Sequence, residues 1–138
     1  MFLLESAQTR PADRPALAGV LAVEFGVWAD AGRIRGALAG CLSRALNRAA
    51  VSRDEVFAVA PLSSAGPRGS AERAGAADVL GGVPVLTKTA DAIGDTGAAS
   101  AAFQITELLV TGAGSGRVGV VTTADGEGRV GCALLRVH

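Results

Sequence analysis

Short apolar segments with strand composition alternate in this chain with segments whose apolar residues recur every three or four positions. Alternating strands and helices predict an α/β fold, in which helices cover a largely parallel sheet. Two strands on either side of residues 125–128 (DGEG) add an antiparallel hairpin at the end. We therefore predict a mixed five-stranded sheet in the order β-α-β-α-β-α-β-β. The predicted strands span residues 17–28, 56–60, 83–87, 118–122 and 130–137, and the predicted helices span residues 31–50, 70–80 and 98–110.

The apolar patterns also predict which faces of these elements are buried. The strand at residues 17–28 is apolar almost without interruption, which is typical of a strand covered on both faces. The helix from Ala98 to Val110 begins with small apolar residues on every side, so we expect it to be buried all round. Ser70 is the predicted N-cap of the second helix, and residues 88–94 are predicted to form a loop. Residues 2–5 predict a stray strand that lies beside the sheet or pairs with a partner.

Composition limits the partners and cofactors of the chain. Its 138 residues predict one domain, and 13 basic against 13 acidic residues argue against a nucleic-acid partner. No apolar run approaches the roughly 20 residues that span a bilayer, and the apolar residues 1–4 are too short for a signal peptide. Cys41 and Cys132 make no disulfide framework, and a lone histidine, His138, excludes a zinc cluster. We expect a soluble cytoplasmic protein with reduced thiols, no membrane partner and no cofactor.

Several motifs carry a resemblance to a known family. Residues 51–56 (VSRDEV) resemble its L-S-P-E-D-V turn, and residues 83–88 (VPVLTK) resemble its VPVxSxK strand. Residues 93–100 (IGDTGAAS) resemble its IGHTxxAAG motif. Residues 1–8 (MFLLESAQ) and 131–135 (GCALL) are similar to the strand that closes the family's N-terminal half and to its final strand. The chain thus resembles the C-terminal half of a β-ketoacyl synthase, which implies one half of a thiolase fold over residues 1–138.

The resemblance also implies where the catalytic residues of a ketosynthase would lie, and this sequence departs from them. The nucleophilic Cys belongs to the N-terminal half, which the resemblance does not cover. Leu62 lies at or near the position of the first catalytic His, and Asp95 replaces the second. Leucine transfers no proton, and a carboxylate would repel the enolate that the histidine stabilises. Lys88 is retained, so we predict no catalytic residue in the chain alone, with Lys88 and Asp95 as candidates for a composite site.

Each candidate residue also has a structural interpretation. Asp95 precedes a helix, where an aspartate N-cap accepts backbone N–H groups and interacts favourably with the helix dipole. Lys88 is interpreted as a solvated charge in a loop, and Cys41 and Cys132 as small buried apolar side chains. A serine nucleophile at residues 63–64 would need a histidine base that the sequence does not supply nearby.

The resemblance implies a non-catalytic partner subunit, similar to the chain-length factors of aromatic polyketide synthases. Such a subunit would complete or modulate a β-ketoacyl-ACP synthase in polyketide or fatty-acid biosynthesis. Its partner would be a ketosynthase-like protein, in a heterodimer, or a second copy, with the helix from Ala98 to Val110 at the contact. An acyl carrier protein is a further expected partner. Two alternatives stay open: half of a split acyltransferase whose partner supplies the nucleophilic Cys, and a self-assembling homodimer that binds an acyl chain.

Overall fold

The computed structural model describes residues 5–6, 8, 15–62, 65–94, 96 and 99–138. In chain order it contains β1 (Ala18–Val27), α1 (Ile34–Ala49), β2 (Val56–Pro61), α2 (Gly66–Leu80), α3 (Lys88–Ile93), α4 (Ser100–Gly112), β3 (Val118–Ala124) and β4 (Arg129–Val137). Short 3-10 turns, Ala31–Arg33 and Arg53–Glu55, precede α1 and β2. The stray strand predicted at residues 2–5 falls, apart from Glu5, outside the described residues.

The strands form one mixed sheet in the order β1-β4-β3-β2. β2 and β3 are parallel, and β4 runs antiparallel to both β3 and β1. The predicted α/β class is confirmed. Within the described residues the sheet has four strands rather than the predicted five, because the strand predicted at residues 83–87 does not form. Val85 there makes an isolated parallel bridge to Val59, whose N–H donates to Pro84 at 2.9 Å and whose carbonyl accepts from Leu86 at 2.8 Å. Pro84 has no N–H to donate, which limits the extension of this pairing into a strand.

Helices α1 and α2 cover one face of the sheet. α2 begins before its predicted N-cap, Ser70, because Pro67 in the first turn has a backbone angle already suited to a helix. Gly75 allows α1 and α2 to approach closely, since a Cβ there would lie 2.6 Å from the carbonyl oxygen of Arg35. An ion pair of 2.6 Å between Arg35 and Asp78 joins the same two helices. The buried side of α1 has the predicted helical spacing and consists of Ile34, Leu38, Cys41, Leu42, Ala45 and Leu46.

α3 lies where a loop was predicted, and α4 is less buried than predicted. Residues 88–94 were expected to form a loop, but α3 occupies most of them and has no buried residue. A helix without an apolar stripe leaves no periodic signal in the sequence. α4 corresponds to the helix predicted from Ala98 to Val110 and buries Ser100, Gln104, Leu108 and Gly112. Within the single chain this helix is covered on one side only, and Val110 is 75% exposed, so burial on all sides would require a partner.

Two apolar clusters hold the layers together. The larger lies between the sheet and α1 with α2, and the smaller lies between the sheet and α4. α4 packs mainly over β2 and β3, and in the described part of the chain no element covers the same face of β1. Phe25 and Val27 of β1 are 72% and 81% exposed. Within the described chain the strand predicted at residues 17–28 is therefore covered on one face and not, as predicted, on both.

Candidate functional site: the groove beside helix α4

A groove of about 400 Å³ lies beside α4, over part of the uncovered sheet. It reaches the edge where β2 and β3 end, and the carboxyl ends of parallel strands are where open α/β sheets bind ligands. Most of its lining is apolar, with a few polar groups at one end. Residues that line it include Phe25 of β1, Leu62, Ala101 and Gln104 of α4, Thr123 of β3 and Ala133 of β4.

Glu72 fixes the segment that follows β2. This α2 residue is completely buried, and its Oε1 accepts the N–H of Leu62 at 3.0 Å and the hydroxyl of Thr122 at 2.7 Å. Hydrogen bonds of this kind replace the water that a buried carboxylate loses. The N–H of Leu62 is therefore already used by Glu72 and does not offer a ligand oxyanion a donor.

Gln104 contacts the same strands from the opposite face of the sheet. Its side-chain nitrogen donates to the carbonyl oxygens of Ala60 at 2.7 Å and Thr122 at 2.8 Å. Both partners are pure acceptors, which fixes the orientation of the amide. Thr122 thus contacts Glu72 through its hydroxyl and Gln104 through its carbonyl. A polar bridge, formed by Glu72, Thr122 and Gln104, links α2 to α4 through the sheet.

Asp125 shapes the turn at the end of the groove. Its Oδ1 accepts the backbone N–H groups of Glu127 at 2.8 Å and Arg129 at 2.9 Å. These bonds, chiefly the one from Arg129, hold the pKa of the Asp125 carboxyl below its usual range. The carboxylate stabilises the predicted hairpin turn in its ionised form and is a poor proton donor.

The structure describes only some of the predicted site residues. Lys88 is exposed at the first residue of α3 and does not line the groove. Its neighbour Thr89 lines a separate recess of about 10 Å³, which is room for one water molecule at most. Asp95 and residues 63–64 lie outside the described residues. Leu62, which the resemblance places at or near the first catalytic histidine, does line the groove.

The two cysteine thiols are poorly suited to nucleophilic chemistry. Both are buried, and both belong to the cluster between α1 and the sheet. Burial raises the pKa of Cys132 to about 12. Burial also raises the pKa of Cys41, against the opposing effect of Arg44, whose Nη2 lies 3.3 Å from the sulfur. Thiols with raised pKa values stay protonated at neutral pH, so the prediction that both cysteines pack as small apolar residues is confirmed.

Neither a metal centre nor a membrane-spanning helix is present in the described residues. No group of three or more His, Cys, Asp or Glu side chains there could hold a metal ion. No helix within those ranges is long and apolar enough to cross a bilayer.

Glu72 and Gln104 are functional-site residues that sequence reasoning missed. Glu72 follows the buried Gly69 by three positions and precedes the buried Ala76 by four, so it lies on the apolar stripe of α2. Gln104 precedes Leu108 by one helical turn in the same way. A polar residue on a buried stripe is a detectable signal, because such a residue needs a hydrogen-bond partner in the core.

Comparison with known proteins identifies the fold. No family model matches the chain, and no curated protein matches it in sequence. Among solved structures, the peroxisomal 3-ketoacyl-CoA thiolase of Saccharomyces cerevisiae is similar, with a TM-score of 0.72 and 16% identity. That enzyme is described as a five-layered A-B-A-B-A structure built from two core domains of identical topology. This chain covers 35% of it, with 90% of its own length.

The chain is a thiolase-fold half-domain. The half-domain is also similar to the ishigamide ketosynthase/chain length factor, with a TM-score of 0.77 and 37% identity over 96% of this chain. The PfaC ketosynthase–chain length factor matches 95% of the half-domain at 20% identity, with a TM-score of 0.73. The half-domain spans 38% of the first of these chains and 14% of the second.

Proposed function

We propose that this half-domain is a non-catalytic, ketosynthase-like partner subunit. It would complete or modulate a β-ketoacyl-ACP synthase in polyketide or fatty-acid biosynthesis, in the cytoplasm. The sequence identity of 37% to a ketosynthase/chain length factor supports the pathway class. The association with a synthase, and through it with an acyl carrier protein, is the part that requires experiment.

The observation that carries the proposal is Leu62 in the groove. A ketosynthase needs a group there that transfers a proton or stabilises an oxyanion, and a leucine side chain does neither. The neighbouring polar groups are used within the fold, since Glu72 accepts from Leu62 and Thr122 and Gln104 donates to two strand carbonyls. The groove can hold an apolar chain. Asp125, the carboxylate in its described lining, is a weak base, because its Oδ1 already accepts two backbone N–H groups and its pKa is lowered.

Reconstitution with a β-ketoacyl synthase tests this function. The half-domain is mixed with synthases encoded near it, and the condensation of acyl and malonyl carrier proteins is followed by the rate and by the length of the product. We expect no turnover by the half-domain alone and a changed rate or product length when it joins its synthase. The variant Lys88→Ala should act like the wild type, because Lys88 is exposed and away from the groove.

Two results would contradict the proposal. If no synthase changes in rate or product length, the half-domain is not a partner subunit. If the joint activity is abolished in Lys88→Ala and restored in Lys88→Arg, the lysine charge takes part in a composite active site, and the split acyltransferase is the better interpretation. The matched control Arg73→Ala changes a charge on α2, away from the lining of the groove, and should have no effect.

A further inference from the structure

The uncovered face of β1 and β4 has the dimensions and chemistry of a helix-binding strip. Its exposed side chains include Val20, Val23, Phe25 and Val27 of β1. Two neighbouring strands span about 10 Å, which is the width of one helix with its side chains. The strip runs beside α4, which packs on the rest of the same sheet face. One further helix would therefore complete this layer.

The flank of α4 that borders the strip is apolar as well. Ala101, Ile105 and Leu109 recur every four residues and share one side of the helix, and Ala101 lines the groove together with Ala133 of β4. Small residues at this end permit a short distance between helix axes. The single charged residue of α4, Glu107, accepts the N–H of Thr89 from α3 and so belongs to the opposite flank. Among the described residues of β1 and β4 on this face, Arg129 is the one charged residue; it lies opposite Val27 at the end of the strip and forms an ion pair with Glu127 at 3.3 Å, which offsets its charge.

We infer that a second copy of this chain covers the strip, with its α4 antiparallel to α4 of the first copy. By two-fold symmetry, each α4 would lie over β1 and β4 of the other copy, so the same patch serves both partners. The resulting order is helices, sheet, two α4 helices, sheet, helices. That order is the five-layered arrangement described for the yeast thiolase, which is built from two domains of identical topology. The second copy would also close the open side of the groove.

A stable dimer needs a broad surface with little charge at its centre. A stable interface buries about 800 Å² per partner, and its centre is depleted of charge. Phe25 and Val27, at the end of the strip near Ala101, are 72% and 81% exposed, and Val110, at the other end of α4, is 75% exposed. This inference rests on the fold and goes beyond the proposed function. It assigns the strip and α4 to a second copy, so a synthase, whose predicted contact is this same helix, would have to bind the completed unit elsewhere.

Light scattering after gel filtration, over a dilution series of the purified chain, tests the inference. We expect the wild type to have twice the mass of one chain. Ala102→Arg places a charge on the outer side of α4 and, by symmetry, acts twice in the interface. An unpaired buried charge of this kind should raise the dissociation constant by on the order of 100-fold or more. Ala77→Arg, an equal substitution at an exposed position of α2, should leave the dimer intact.

A second variant keeps the test decisive if Ala102→Arg unfolds, which circular dichroism would show. Val23→Lys changes a strip residue that is 42% exposed, and it should also give a folded monomer. A wild type that is monomeric throughout the dilution series overturns the inference, and so do folded variants that dimerise like the wild type. The inference is also overturned if a synthase dissociates the wild-type dimer and does not bind the Ala102→Arg variant, because the synthase and not a second copy would then bind the strip. If the wild type is monomeric and still changes the rate or product length of a synthase, the dimer inference fails and the proposed function stands. If the wild type is dimeric and changes no synthase, the proposed function fails and the dimer inference stands.

Discussion

Replacing Gln104 by methionine should destabilise the fold by about 2–4 kcal/mol. Methionine is similar in size and shape, so the change removes two N–H donors with little change of volume. Those donors reach the carbonyl oxygens of Ala60 and Thr122 at 2.7 and 2.8 Å, with the side chain 5% exposed. A hydrogen bond contributes about 1 kcal/mol net, and a buried acceptor left without its partner costs about 1–3 kcal/mol. Each carbonyl keeps a second lone pair, so the lower part of these ranges applies, and two lost bonds at about 1–2 kcal/mol each give about 2–4 kcal/mol.

Urea unfolding followed by circular dichroism measures this loss. With a urea m-value of about 1–3 kcal/mol per molar for a small protein, the midpoint should fall by roughly 1 M or more at unchanged m. Asn47→Met is the matched control, because it removes an amide from an exposed position of α1, where substitutions change stability by about 0.5 kcal/mol or less. If the midpoint of Gln104→Met falls no further than that of Asn47→Met, the amide does not contribute as a bridge between the strands.

Three other perturbations have defined outcomes. Gly75→Ala should cost about 1–3 kcal/mol in urea unfolding, because its Cβ would lie 2.6 Å from the backbone oxygen of Arg35; an unchanged midpoint would contradict this close approach. The ionised Asp125 makes its full contribution to the free energy of unfolding at pH values above 3.8, the ordinary pKa of the carboxyl. This contribution is lost as the pH falls through the lower pKa of the folded state. The urea midpoint of the wild type should therefore lose its advantage over Asp125→Asn on acidification; an advantage that is constant with pH would contradict the shift. Cys132 and Cys41 should react with a thiol reagent at pH 8 only after urea unfolding, and rapid labelling of the native chain would show that they are accessible.

Local patterns predicted the elements whose signal lies within a few residues of sequence. The spacing of Ile34, Leu38 and Leu42 revealed α1, and the turn at Asp125 revealed the hairpin of β3 and β4. The S-x-x-E spacing of residues 52–55 is typical of a short helical turn, and there the N–H of Ser52 donates to Glu55 Oε1 at 3.0 Å. In each case the side chains that stabilise the element lie on that element, so a short window contains the information.

The predictions that failed concern features that are decided by contacts between residues far apart in the sequence. β1 is as apolar as a strand with two covered faces, yet α4 packs on the other strands and leaves Phe25 exposed. The segment around Val85 has strand composition, but its pairing is confined to Val59. Glu72 and Gln104 become a site only when the sheet brings Thr122 between them. No short window of sequence contains both helices and the strand that joins them.

The polar bridge through Thr122 has a consequence for the way the molecule opens. α2 and α4 lie on opposite faces of the sheet, where helices of an α/β layer could detach independently. Because the hydroxyl of Thr122 binds Glu72 and its carbonyl binds Gln104, the loss of either helix removes a hydrogen bond from the residue that anchors the other. Amide hydrogen exchange should then find α2 and α4 within one cooperative unit, with similar protection in both, although the two helices lie on opposite faces of the sheet.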